Sequence, residues 1–85
     1  MTTREEVFSV VRGAALAVDP ALEADQIRPD VALADLGFSS LDRMDVVCDA
    51  LDQLGLPLDA ELLAGVSNLG ELVDAVHAAA CRAAS

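Results

Sequence analysis

The sequence predicts an all-α bundle of three longer helices and one short one, with a long loop after the first. Apolar residues make up 54% of the chain but come mainly from Ala, Leu and Val, and the aromatic residues are two Phe with no Trp or Tyr. Strands draw on β-branched and aromatic side chains, so this mixture favours helices. Apolar positions recur at helical spacing in three stretches, and each stretch opens on a residue suited to capping a helix. A chain of 85 residues buries roughly 60–65% of its unfolded surface, enough for one modest core. Residues 1–85 are therefore expected to form a single domain.

The first helix is expected over residues 3–18. Val7, Val11, Ala14 and Val18 follow helical spacing with Phe8 and Ala15 beside them, and Thr3 with Glu6 forms a capping-box pattern. Gly13 weakens this helix by about 1 kcal/mol relative to Ala without breaking it. Asp19 ends it, because the residue before a proline, here Pro20, avoids the helical region. Residues 19–38 show no sustained period, and Pro29-Asp30 marks a turn. Ile27, Val31, Leu33 and Leu36 are too many apolar residues for a free linker, so this loop is expected to lie across the bundle, pinned by them. Gly37 is the natural place for a positive φ ahead of the next helix.

The second helix is expected over residues 39–54, starting at Ser39 or Ser40, with Gly55 as its stop and Pro57 beyond. At about 100° per residue, Met44, Val47, Cys48, Leu51 and Leu54 share one face, which reads as the core side, with Leu51 on it rather than Ala50. Asp42, Asp45, Asp49 and Asp52 fall within an arc of roughly 80° on another face and make a continuous acidic stripe. A short third helix is expected over residues 59–64, closed by Gly65. The fourth is expected over residues 68–82, capped by Asn68 with Glu71 and striped by Leu69, Leu72, Val73, Val76 and Ala80. Its Ala-rich tail from Ala78 is expected to fray. These segment lengths alone fit several small helical folds.

Fifteen acidic side chains against five Arg give a formal net charge of −10. That balance repels nucleic-acid phosphates and anionic lipid headgroups, and points to partners with basic surfaces. The apolar runs are far shorter than the ~20 residues a bilayer span requires, and TTREEVF lacks the basic start and apolar run of a signal peptide. A soluble, cytoplasmic protein is expected, without membrane or nucleic-acid contact. Because the chain begins with Met and shows no linker, a discrete protein and a monomer are expected.

Catalytic chemistry lacks its parts. His77, the one histidine, falls inside the last helix with no nucleophile near it in sequence, so it reads as a surface or rim residue, and no strand-turn-helix elbow presents a serine. Cys48 and Cys81 match no C-x-x-C pattern; buried Cys48 and exposed Cys81, both reduced, are expected. The aspartates lack EF-hand spacing, so no metal site is indicated. There is no glycine-rich phosphate loop. What stands out is a serine pair, Ser39-Ser40, at a helix start beside a carboxylate stripe. On spacing alone both serines read as caps, Ser39 with Asp42 as S-x-x-D, and the stripe reads as a solvated face.

The run Ile27-x-Pro29-Asp30-x-x-Leu33-x-Asp35-Leu36-Gly37-x-x-Ser40-Leu41 resembles the approach to the modified serine of acyl carrier proteins and their peptidyl-carrier relatives. The likeness extends over nearly the whole chain, through the long loop, the acidic second helix, the short third and a fourth opening NLGELVDAV. It implies a four-helix bundle of acyl-carrier type, and a carrier rather than an enzyme. Ser40 would bear 4′-phosphopantetheine donated by coenzyme A, whose thiol holds acyl, aminoacyl or polyketide intermediates as thioesters.

The resemblance also implies the partners. A phosphopantetheinyl transferase would install the arm, and an acyltransferase, a ketosynthase or an acyl- or aminoacyl-activating ligase would dock through basic surfaces. Leu41, Asp42, Asp45, Asp49 and Asp52 would be the recognition residues, and docking would be fast, transient and weakened by salt. Ser39 stands where the acyl-carrier pattern usually has Asp; a serine caps a helix nearly as well but removes a negative charge from the edge the transferase meets. Arg without Lys and abundant Ala suggest a GC-rich bacterial gene, hence polyketide, fatty-acid-type or antibiotic biosynthesis. The competing expectations are an aminoacyl or peptidyl carrier with the same arm, and an unmodified acidic module that binds a basic partner through the stripe.

Overall fold

The computed structural model describes residues 2–57 and 67–84, and it is helical with no strand among the described residues. Helix α1 spans Arg4–Val18, α2 spans Ser40–Gln53 and α3 spans Leu69–Ala84; two short 3-10 turns, Ala24–Gln26 and Leu33–Leu36, lie in the loop between α1 and α2. The short helix expected over residues 59–64 falls outside the described residues, among which there are three α-helices.

Helix α1 starts at the expected cap, with the Thr3 hydroxyl accepting the Glu6 N–H at 3.1 Å. Glu5 and Glu6 in the first turn suit the positive end of the helix dipole. Val7, Val11, Ala14 and Ala15 are buried, and this face packs against both α2 and α3. Val18, at the end of the stripe, is only half-buried.

The long loop is pinned as its apolar content requires. Ile27 and Leu33 are buried, and Leu22, Val31 and Leu36 are half-buried. Phe38 is a further pin, 6% exposed, and its N–H donates to the Leu33 carbonyl at 3.2 Å. Between them Gly37 takes φ 91°, the left-handed conformation expected there, and turns the chain into α2.

The core face of α2 departs from the expected one. Val46, Val47, Ala50 and Leu51 are buried, whereas Met44, Cys48 and Leu54 are only half-buried. The centre of the buried face is rotated by about 60–70° from the one read off the larger side chains. The α1–α2 contact lies on this face, where the small Ala14, Ala15 and Ala50 are all fully buried, and small side chains let helices approach closely.

Helix α3 is joined to the loop by backbone hydrogen bonds. The Leu69 N–H donates to the Val31 carbonyl at 2.9 Å and the Gly70 N–H to the Pro29 carbonyl at 2.8 Å. Asn68 Oδ1 accepts the Glu71 N–H at 2.9 Å, the expected cap. Leu69, Leu72, Val73, Val76 and Ala80 are buried as the stripe predicts. The helix also continues to Ala84, past the point where the sequence suggests fraying, because Ala80 is held in the core and alanine has the best intrinsic helix propensity. No polar or charged side chain is buried among the described residues, so every functional group is at or near the surface.

Candidate functional site at the start of helix α2

The Ser39-Ser40 pair occupies the junction between the loop and α2. Ser39 is the N-cap: its hydroxyl accepts the Asp42 N–H at 3.1 Å, and the Asp42 carboxylate accepts the Ser39 N–H at 3.2 Å. This reciprocal pair satisfies two backbone donors and fixes where the helix starts. Ser40 is the first residue inside the helix and is exposed. Among the described residues the Ser40 and Leu41 amides have no hydrogen-bond acceptor, so two N–H groups at the positive end of the helix stay open. Leu41 is 73% exposed, the one large apolar side chain among the described residues that faces solvent so fully.

The aspartates are less uniform than their spacing suggests. Asp45 and Asp52 are exposed, while Asp42 and Asp49 are half-buried. Asp42 is engaged in the cap, and Asp49 accepts from Gln53 Nε2 at 3.1 Å. The outer edge of the stripe is thus carried chiefly by Asp45 and Asp52.

The sequence reading misses Arg43. Its Nη2 donates to Ser40 Oγ at 3.0 Å, and its Nε is buried with no hydrogen-bond partner among the described residues. The available signal is the i, i+3 spacing, which brings the two side chains together on a helix surface.

The groups set aside as non-catalytic lie elsewhere. His77 is half-buried in α3, with Nε2 3.2 Å from the Thr2 carbonyl and 3.6 Å from Cys81 Sγ. Cys48, expected to be buried, is half-buried; Cys81 is exposed, and neither forms a disulfide. Among the described residues no group of three or more His, Cys, Asp or Glu side chains is arranged to hold a metal ion, and no helix is long and apolar enough to cross a membrane. A cleft of about 270 Å³ is lined by Arg4, Glu5, Phe8, Pro29, Gly70 and Val73, and no residue of α2 borders it.

Residues 13–76 match the family described as "Phosphopantetheine attachment site". The chain is 30% identical over 74 residues to the polyketide biosynthesis acyl-carrier-protein AcpK of Bacillus subtilis, covering 87% of this chain and 90% of that protein. It is 31% identical over 78 residues to the acyl carrier protein of Thermotoga maritima, covering 91% of this chain and 95% of that one. Its fold superposes with a TM-score of 0.82, at 28% identity, on a chain of the crystal structure of the curacin biosynthetic pathway HMG synthase in complex with acetyl donor-ACP, over 91% of this chain and 99% of that one. The all-helical architecture, the family match along most of the sequence and two curated relatives agree: the chain belongs to the acyl carrier protein family, carriers rather than enzymes, which bear a covalently attached phosphopantetheine.

Proposed function

We propose that Ser40 is the residue that bears 4′-phosphopantetheine, and that the chain is a cytoplasmic, monomeric carrier of acyl or polyketide intermediates in bacterial polyketide, fatty-acid-type or antibiotic biosynthesis. In this reading residues 1–85 form one carrier domain. The observation that carries it is the presentation of Ser40: an exposed hydroxyl on the first residue of a capped helix, between open amides and an exposed leucine.

The surroundings of Ser40 suit the group. A phosphodiester needs nearby donors and tolerance of its charge, and Ser40 has the helix N-terminus, the Arg43 guanidinium and a buried Nε without a partner. When bound, the arm supplies a thiol on which cargo is held as a thioester. The protein's own residues supply everything else. Ser39 and Asp42 fix the helix start, Ser40 offers its oxygen, and Leu41 gives a docking enzyme an apolar contact beside the attachment point. Asp45 and Asp52, with Asp42 and Asp49 behind them, attract a basic surface. The polyketide assignment of the Bacillus relative supports acyl cargo. Ser39 in place of the usual Asp keeps an aminoacyl or peptidyl carrier as the second reading.

Incubation of the unmodified protein with coenzyme A and a broad-specificity phosphopantetheinyl transferase, followed by intact mass, tests the assignment. One arm is expected on the wild type and none on Ser40→Ala; an increment that survives Ser40→Ala overturns it. Reversing Asp45 and Asp52 to Lys is expected to slow association with the transferase roughly tenfold at low salt, with the difference shrinking as salt rises. If the reversal impairs the protein in its host while Ser40→Ala does not, an unmodified interaction module replaces the carrier reading.

A further inference from the structure

Arg43 is placed against Ser40 in a way that neither the core nor the acidic stripe explains. Arg4 pairs with Asp74 at 2.5 Å, Arg28 lies 3.9 Å from Asp30, and Arg12 sits over the Phe8 ring at 5.7 Å. Arg43, on a helix rich in aspartate, forms no ion pair among the described residues and instead donates from Nη2 to Ser40 Oγ. Nε and Nη2 share one edge of the planar guanidinium, the edge that grips two oxygens of a single carboxylate or phosphate. In the unloaded chain that edge meets one oxygen, and the Nε beside it is buried and unmatched. That N–H is a donor left for an acceptor which the unloaded chain does not supply among its described residues. A small cleft of about 40 Å³, bordered by Arg43 with Leu33, Asn68, Leu69 and Leu72, lies between the loop and α3.

We propose that Arg43 is a positioning residue that holds the phosphodiester joined to Ser40, with Nη2 and Nε each donating to a phosphate oxygen. The proposal rests on Ser40 being the attachment residue. A phosphate on Ser40 Oγ would offer that edge anionic oxygens, so that a bond from a cation to a neutral hydroxyl would become a pair of opposite charges. The base of the arm is then fixed to the surface of α2, and its direction of departure is set by the protein. Lysine cannot reproduce this, because its ammonium is a point charge without the fork.

The test compares unloaded and loaded protein by NMR, after intact mass has shown that the arm is present and absent from Ser40→Ala. In isotope-labelled wild type the Arg43 Nε–H resonance is expected to shift downfield on loading. In the loaded proteins the phosphorus resonance of Arg43→Gln is expected to move away from that of the wild type, with Arg43→Lys between the two. Arg28→Gln should coincide with the wild type. A phosphorus resonance unmoved by Arg43→Gln, together with an unchanged Nε–H, overturns the proposal while leaving Ser40 as the attachment residue. If Arg43→Gln fails to fold or to load, the Nε–H shift in the wild type alone decides. Absence of any mass increment on the wild type removes both readings together.

Discussion

Helices α2 and α3 both begin at a polar cap, yet their first amides are treated in opposite ways. At the start of α3 the Leu69 and Gly70 N–H groups are taken by the Val31 and Pro29 carbonyls, and the Glu71 N–H by Asn68 Oδ1. Of the first three amides of α2 itself, that of Asp42 is taken by Ser39, while those of Ser40 and Leu41 find no acceptor among the described residues. The leucines follow the same division: Leu69 is 1% exposed and Leu41 is 73% exposed. One helix start is closed by the fold and serves stability. The other is fixed by its cap and otherwise left open, as the proposed attachment at Ser40 requires. A helix dipole is common to both, so the dipole alone does not make a functional site; what matters is which donors the rest of the chain leaves unclaimed.

This contrast can be broken by experiment. The largest effect is expected for Leu69→Ala, which deletes a buried side chain and should lower unfolding free energy by about 2–5 kcal/mol in urea denaturation. Next come the two caps, Asn68→Ala and Ser39→Ala, each expected to cost about 1 kcal/mol. They should differ in function, because only Ser39→Ala loosens the turn that carries Ser40 and slows phosphopantetheine loading. Equal loading rates for the two variants at equal stability would erase the distinction. The smallest effect on stability is expected for Leu41→Ala, within about 0.5 kcal/mol of the wild type, with weaker binding to an enzyme partner as its main consequence. A loss of stability comparable to that of Leu69→Ala would show that Leu41 belongs to the core.

Most of the frame is legible in the sequence because it is written in local signals. Thr3, Ser39 and Asn68 cap where their spacing to Glu6, Asp42 and Glu71 says they should, and Gly37 takes the positive φ its place before α2 demands. Ile27 and Leu33 pin the loop because nothing else satisfies apolar side chains in so polar a stretch. The core face of α2 is harder to read. Two adjacent pairs, Val46-Val47 and Ala50-Leu51, offer two stripes, and the choice depends on how closely α1 approaches, which no local pattern encodes. Arg43 is overlooked for a related reason: a lone cation on an acidic helix reads as solvated until a neighbour and an unmatched nitrogen are seen beside it. The position of the serine pair is thus set by caps and glycine, whereas the chemistry around it depends on side-chain geometry.

The meeting of α3 with the loop carries one more consequence. A Cβ built at Gly70 would lie 3.1 Å from the Pro29 carbonyl oxygen and 3.3 Å from Asn68 Oδ1, tighter than ordinary van der Waals contact. Position 70 therefore behaves as a machinist's clearance, with main chain seated on main chain and no room for a shim. From Pro29 the loop runs through the buried Leu33 and Phe38 to the cap of α2. A methyl group added at position 70 would press on the Pro29 carbonyl, which is main chain, so the seat of the loop on the last helix would itself have to give by a few tenths of an ångström.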